Sequence, residues 1–379
     1  MSNNSILVVG GGFAGITAAL EAAEIGHEVF IVEKNPYLGG RVAQLNQYFP
    51  KLCPPTCGLE IQFQRIRNNP KVHVLTMAEL VSLTGSAGNY TATVKISPRF
   101  VNEKCTACGE CEKAASTSVE NEFEFGLASR KVVYRPHVHS FPMRYVLDAG
   151  KCDKAELEKI KASCPYAAID LEDKEKTVEL PVGSVVWATG WKPYDLKKLT
   201  NLGGGRIKNV ISNMQLERLA APAGPTEGKI LRPSDKKAPK KIAFVQCAGS
   251  RDENHLNYCS YICCMASLKQ AAYVREQYPN ARITIYYIDL RTPGRYENFA
   301  KRILADPRIS TVKGKVAAVA EDVATGDVLL TVVDAVSGIK SENRFEMAVL
   351  ATGMQPSLAG QKLPVDVAVD EMGFLVGGE

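Results

Sequence analysis

The chemistry of this chain is concentrated in its cysteines. There are eleven in 379 residues, an odd number gathered in clusters. In a reducing compartment, such clusters bind metal or do redox work more often than they form structural disulfides. Cys105, Cys108 and Cys111 have the C-x2-C-x2-C spacing, whose short turns bring three thiolates onto one corner of an iron-sulfur cube. A second group, Cys247, Cys259, Cys263 and Cys264, is spaced C-x11-C-x3-C-C. The pattern predicts a helix over Cys259 to Tyr278, with Cys259 and Cys263 one turn apart, Cys264 about 100° round from Cys263, and Cys247 on the preceding strand. Four sulfurs can converge there, but a vicinal disulfide or plain buried thiols fit the spacing equally well.

The first trio needs a fourth ligand. A bacterial ferredoxin run places a Cys before Pro at the position held here by Ala115, but in two-cluster ferredoxins that residue serves the other cluster and each trio is completed by the distant Cys-Pro. Cys164-Pro165 is such an ending. Cys105, Cys108, Cys111 and Cys164 therefore read as one retained 4Fe-4S site. Ala115 marks the loss of a second, and Cys152 is its remnant. A zinc site on the same four thiolates is the alternative, although four-Cys zinc more often uses paired C-x2-C knuckles. Cys53 and Cys57 flank two prolines and a threonine, a stiff loop able to present both sulfurs, although C-x3-C is not the usual redox spacing. Structural thiols are the preferred reading for that pair. The five histidines, His137 and His139 among them, form no triad or metal spacing.

A glycine loop supplies the third feature. Gly10, Gly12 and Gly15 follow the apolar run Ser5 to Val9 and open the helix-like Ile16 to Gly26, and a second strand runs from Glu28 to Glu33. This is the strand, turn, helix context in which a G-x-G-x-x-G loop, here with Phe13 and Ala14 between its last two glycines, cradles a dinucleotide pyrophosphate. Glu33, at the end of the second strand with Lys34 beside it, can accept hydrogen bonds from both ribose hydroxyls and would repel a 2′-phosphate. The loop itself does not distinguish FAD from NAD.

These sites need a framework. Apolar strands run into Ala-Thr-Gly turns at Ala188-Thr189-Gly190 and Ala351-Thr352-Gly353, and a further strand from Lys241 to Gln246 opens a second α/β unit that continues to Arg282 to Ile288. The fold class is α/β, with two doubly wound dinucleotide-binding-type domains. The expected division is 1–97 and 172–205 for the first domain, 98–171 for an inserted ferredoxin-like segment and 206–340 for the second domain, with a return to the first over 341–379. Residues 220–241, with four prolines and a net charge of +4, read as a surface connection.

Composition excludes other classes. The chain is 45% apolar and 23% charged, so wholesale disorder is ruled out. Its net charge of +5 is too small and scattered to argue for nucleic acid. The longest uncharged stretch near the start, Ser5 to Leu20, contains four glycines and follows no basic residue. It reads as neither a membrane span nor a secretory signal, which gives the expectation of a cytoplasmic protein without a transmembrane segment of its own.

Gly39-Gly40-Arg41 and the two Ala-Thr-Gly turns resemble the two-dinucleotide-domain flavoproteins related to thioredoxin and glutathione reductases. That resemblance makes the first loop an FAD site, brings Gly40 and Arg41 near the FAD phosphates and brings Ala188, Thr189 and Gly190 close to the cofactor. It also leads one to expect a second glycine loop for NAD(P)H. Here the strand runs instead into Cys247-Ala-Gly-Ser-Arg251, so a nicotinamide cofactor is not the expected reductant. That segment, together with Tyr258-Cys-Ser-Tyr-Ile-Cys-Cys-Met-Ala-Ser-Leu-Lys269, resembles the flavin and iron-sulfur HdrA chains of heterodisulfide reductases, in which these four cysteines bind a 4Fe-4S cluster. The short length and single ferredoxin quartet resemble the compact members of that family in the quinone-interacting membrane-bound oxidoreductase (Qmo) complexes of sulfate reducers. This likeness implies electron transfer between the menaquinone pool and adenylylsulfate reductase, in partnership with a haem-containing membrane subunit plus a second HdrA-like flavin subunit. It also implies peripheral membrane association through those partners. Such relatives continue past Asp370 to Phe374 into another FAD-contacting turn, so the last part of the first domain is expected to be truncated. Two other readings stay open: a disulfide oxidoreductase using Cys53 and Cys57, and a zinc-stabilised scaffold.

Overall fold

A computed structural model describes residues 3–377 except 362 and 366. They form two compact units, one of residues 1–191 and 356–379, the other of residues 192–355. Residues 192–205 and 341–355, which the sequence groups with the first domain, lie in the second unit.

The first unit is built on a four-stranded parallel sheet. Strand β1 (Ile6–Val9) lies between Ser184–Trp187 and β2 (Val29–Glu33), and β3 (Val72–Thr76) pairs with β2. The sequence Val-Phe-Ile-Val-Glu of β2 is nearly continuously apolar, as a parallel strand covered on both faces should be. Helix α1 (Phe13–Glu24) buries Ile16, Ala19, Leu20 and Ala23, one face at i, i+3, i+4 and i+7, against Val8, Val29 and Ile31. Helix α2 (Pro55–Asn68) adds Leu59, Phe63 and Ile66 to the same core. A three-stranded antiparallel sheet of 176–182, 89–96 and 78–86 completes the domain.

Between the strands 89–96 and 176–182 lies the inserted segment, with only two short helices, α3 (Glu110–Ala114) and α4 (Lys154–Ala162), and two small two-stranded ribbons. The sequence shows no sustained helical period here because α4 is brief. Asp153 caps it by accepting from the Glu156 N–H at 2.8 Å. The segment is bolted to the parallel-sheet part of the unit through buried Arg99. Its guanidinium donates to the carbonyls of Tyr145 (3.0 Å) and Pro36 (2.9 Å) and to Thr76 Oγ1 (3.2 Å). Phe141 stacks on Phe63 with ring centres 5.1 Å apart.

The second unit contains a five-stranded parallel sheet in the order 210–212, 347–352, 241–248, 282–287, 309–313, with an antiparallel meander of 316–322, 327–333 and 340–345. Helix α5 (Asn213–Ala220) starts on a capping box between Ser212 and Gln215. Residues 220–241 are not simply a solvated connection: Ile230 is fully buried and Arg232 is only 7% exposed, paired with Asp327 at 3.3 Å. The helix expected from Cys259 begins instead at Cys263, as α6 (Cys263–Gln277). Among the described residues no helix is long and apolar enough to cross a membrane.

Candidate functional site

The glycine loop closes as a tight turn into the start of α1. Gly10 has φ +113° and a Cβ there would lie 2.3 Å from the Ala188 carbonyl oxygen, so a side chain is excluded where the strand turns. Gly40, at φ +55°, backs onto the Gly12 Cα, 2.8 Å from where its own Cβ would be. Gly12 is the N-cap of α1, with no side chain capping the helix, so the first-turn N–H groups around Phe13 and exposed Ala14 remain available to an anion. Glu33 is 6% exposed. Its Oε2 accepts from the Gly11 N–H at 2.7 Å, and its Oε1 accepts from the Asn35 N–H (2.8 Å) and Nδ2 (2.7 Å). Burial raises its pKa, while the hydrogen bonds from Asn35 and Gly11 pull the other way. Lys34 next to it is exposed. The motif does not single out Gly11, whose N–H fixes the carboxylate; the triple-glycine run is the one signal of it in the sequence. On the opposite side Ala188 donates to the Val9 carbonyl at 2.8 Å, and Gly190, after Thr189, turns with φ +66°.

Arg41 lies on the 3-10 turn Gly40–Gln44 and donates Nε to the Trp191 carbonyl (3.2 Å) and Nη1 to Gln44 Oε1 (2.8 Å). Burial lowers its pKa. Both partners are neutral.

The inserted segment brings Cys105, Cys108, Cys111 and Cys164 around one pocket, walled by Val101, Tyr145 and Ile169. Positive φ at Ala107 (+58°) and Gly109 (+88°) reverses the chain twice between the first three cysteines, and Ala167 (+49°) does the same after Cys164. Two sulfurs accept backbone hydrogen bonds, Cys105 from Ala107 (3.4 Å) and Cys164 from Ala168 (3.3 Å). The Cys111 thiol is pushed up to about 12, mainly by burial and then by Cys105, Cys164 and Cys108. Thiolates so crowded need a cationic centre to stay ionised, which is the fit expected of a metal site. Tyr145, which the sequence does not single out, lines the pocket and donates to Glu112 Oε2 at 2.7 Å. Cys152 stands outside the quartet, beside Glu156, Asp153 and Asp148.

The second unit gathers Cys247, Cys259, Cys263 and Cys264. Burial raises the thiol pKa of Cys247 and takes Cys263 to about 12, with the other cysteines of the group adding in each case. Cys247, next to last in its strand (Lys241–Ala248), has φ +54°, and positive φ follows at Gly249 and Arg251 as the chain turns away from the sheet. Cys259 is held on a loop, not on the helix, and accepts from the Tyr261 N–H at 3.4 Å. Cys263 and Cys264 open α6 and donate in different directions, to the Thr352 carbonyl (3.8 Å) and the Asp289 carbonyl (3.5 Å). All eleven cysteines are free, so no vicinal disulfide forms. The long excursion from residue 248 to residue 263 replaces the tight glycine turn that a second dinucleotide would use.

Among the described residues no three His, Cys, Asp or Glu side chains converge as they would on a single ion. Mononuclear zinc draws its thiolates to about 2.3 Å from one point, whereas the first quartet lines a small pocket. Cys53 and Cys57 lie at the N-terminal end of α2 near the Tyr48 ring, whose hydroxyl pKa is raised by burial and then by both thiols. His137 is packed against Phe123 and Tyr37.

Residues 5–56 match the FAD dependent oxidoreductase family. The chain is 39% identical over 353 residues to an iron-sulfur A subunit of the CoB--CoM heterodisulfide reductase of Methanopyrus kandleri, covering 92% of this chain and 54% of the relative. Its homologues are heterodisulfide reductase A subunits. The corresponding chain of Methanocaldococcus jannaschii is 36% identical over 95% of this chain and 55% of its own length. The A subunit of the H(2):CoB-CoM heterodisulfide,ferredoxin reductase of Methanothermobacter marburgensis is 34% identical over 99% and 57%. The chain thus spans somewhat more than half the length of these relatives. Thioredoxin reductase of T. acidophilum superposes with a TM-score of 0.50 at 13% identity, covering 98% of this chain and 83% of that one. The fold is that of the thioredoxin reductase-like flavoproteins, as the sequence implies.

Proposed function

We propose that this chain is an FAD and iron-sulfur electron-transfer oxidoreductase subunit carrying two 4Fe-4S clusters, one on Cys105, Cys108, Cys111 and Cys164 and one on Cys247, Cys259, Cys263 and Cys264. The observation that carries the reading is the gathering of four free cysteines in each of two units, with a flavin-type glycine loop in the first. FAD exchanges electrons in pairs or singly and a cubane exchanges one, so a chain holding both converts between the two modes.

The residues have separable tasks. Gly10, Gly12, Phe13, Ala14 and Gly15 present the turn and helix N-terminus to the pyrophosphate, with Gly40 and Arg41 on its other side. Glu33 and Lys34 take the ribose end, and Ala188, Thr189 and Gly190 close the strand side. The N–H groups of Ala107, Ala168 and Tyr261 donate to ligand sulfurs, which disperses thiolate charge and raises the potential of whatever those sulfurs hold. Val101, Tyr145 and Ile169 give the first quartet an apolar wall around buried Cys111, while Cys108 stays exposed to solvent.

The finer reading is a Qmo-type, HdrA-like chain. In that role it passes electrons between menaquinone and adenylylsulfate reductase on the cytoplasmic side. It is held at the membrane by a haem-containing membrane subunit together with a second HdrA-like flavin subunit. The single quartet in the inserted segment, with Ala115 in place of a further ligand, supports it. Anaerobic purification with flavin, iron and sulfide quantification tests the first claim: about one FAD and about eight iron atoms per chain are expected, with cubane signals on reduction. Zinc without iron overturns it. For the finer claim, the assembled complex should be reduced by a menaquinol analogue and reoxidised by adenylylsulfate reductase; failure of both steps removes it. Neither NADH nor NADPH should bleach the flavin, and rapid bleaching by either restores a nicotinamide site.

A further inference from the structure

A cavity of about 930 Å³ lies in the first unit between the FAD-binding half and the inserted segment, within the size range of small-molecule sites. Lys34, Asn35 and Arg41 line it from one side, and Phe123, Phe125 and Lys151 from the other. Its lining residues Lys34, Asn35, Pro36 and Tyr37 directly follow Glu33, the last residue of β2, assigned to the ribose.

The charge facing this space is unbalanced. The two carboxylates that line it, Glu122 and Asp148, are both occupied by Arg130, at 2.9 and 2.8 Å, and that guanidinium stacks 3.6 Å over Tyr134. With Lys34, Arg41 and Lys151 added, four cations face two carboxylates, a net excess of two positive charges. Arg41 is the informative one: it is partly buried, its hydrogen bonds go only to neutral oxygens, and Glu33 acts on it only through space, with no carboxylate of the described residues in ion-pair contact. A cation buried under those terms is completed by an anion. The aromatic wall is rigid: Phe123 stacks on His137 at 4.8 Å, Tyr37 meets both rings edge-on, and Gln44 Nε2 donates to the Phe123 carbonyl at 3.1 Å. Flat rings beside cations suit a purine nucleotide.

We propose that the inserted segment forms the outer wall of the adenosine diphosphate end of the FAD site, with Phe125 and Lys151 contacting the nucleotide and Arg41 meeting its phosphates. This rests on the FAD reading. It makes the insertion a cofactor-binding element as well as a cluster carrier, so that losing its cluster loosens FAD and spares the isoalloxazine end.

The test uses the full chain, purified anaerobically and stripped of flavin, titrated with FAD, FMN and ADP. Wild type should bind FAD in competition with ADP. The Phe125→Ala, Lys151→Ala double variant should bind FAD and ADP about tenfold more weakly, with FMN affinity and iron content unchanged. Either single variant should fall between. Unchanged FAD binding in the double variant with its iron intact overturns the proposal, as does an equal loss for FAD and FMN. Wild type that takes up FMN but not FAD overturns it too, and wild type that takes up neither flavin overturns the FAD reading itself.

Discussion

The two cysteine quartets are built from opposite materials. In the inserted segment the ligands come from a loop reversed by positive-φ residues and from the end of a nine-residue helix, and Cys111 is itself part of the small core with Val101, Ile160 and Ile169. In the second unit three of the four ligands are mounted on the end of a central parallel strand and the first turn of a fifteen-residue helix, with Cys259 on the loop between them, while the core of Val245, Tyr286, Leu330, Phe345 and Leu350 exists without them. The first quartet is part of what holds its surroundings together, whereas the second is attached to a fold that stands by itself. Below a certain core size, a bound inorganic centre contributes folding energy outright.

Single ligand substitutions should break or sustain this contrast most visibly. Cys111→Ser and Cys263→Ser are each expected to lose about four iron atoms per chain. Only Cys111→Ser should also open the stretch 98–171 to limited proteolysis, with cuts between the two strands that bracket the insertion. Cys263→Ser should keep the wild-type digestion pattern. Equal protease sensitivity in both variants would show that the second unit depends on its quartet as well.

The same difference governs what is legible in the sequence. The first quartet can be read from spacing because its geometry is local: the C-x2-C-x2-C run needs only two tight turns, and the Cys-Pro ending supplies the fourth sulfur. The second is ambiguous because its geometry is tertiary. Cys247 and Cys263 are brought together by a parallel sheet, and the helix begins four residues later than periodicity suggests because Tyr258 to Ile262 are committed to other bonds. Among these, Arg251 N–H donates to the Tyr258 carbonyl and the Tyr258 hydroxyl to that of Met354. The glycine loop and both α/β units are visible from strand and helix periods, whereas α4 is too short to declare itself. Arg99, Glu156 and the insertion's side of the cavity, Phe123, Phe125 and Lys151, have no motif at all, since each acts through residues distant in sequence.

Glu156 sharpens the comparison inside the insertion. Next to Ala115, where the ferredoxin pattern has lost a ligand, Glu156 accepts hydrogen bonds from the N–H groups of Ser116 (2.6 Å) and Thr117 (2.8 Å) and from Thr117 Oγ1 (2.5 Å). A carboxylate clamps the stretch at the position where the ferredoxin pattern would carry a further ligand. The Thr117 bonds hold its pKa down at about 2, against the ordinary 4.5. A depressed acid contributes stability that is complete above the unfolded value and fades as pH falls from 4.5 towards 2. Glu156→Gln should therefore destabilise the insertion by about 1–2 kcal/mol at pH 6, and the gap from wild type should narrow below pH 4.5. Thermal melts at pH 6 and pH 4 decide it: a gap that stays constant means the carboxylate charge is not what holds Ser116 and Thr117.

The smallest effect is expected at Cys53 and Cys57. They share the neighbourhood of Tyr48 at the start of α2, with Cys57 exposed, yet no bond joins them, and the Cys57 N–H is committed to the Pro54 carbonyl at 3.0 Å. If electrons enter and leave through the quartets, these thiols carry none of the flow. The double variant Cys53→Ser, Cys57→Ser should then keep its flavin and iron and change the rate of dithionite-driven flavin and cluster reduction by less than about twofold. Complete loss of flavin turnover with iron retained would reverse the ranking of the sites, making the exposed dithiol the working centre and the two quartets its supports.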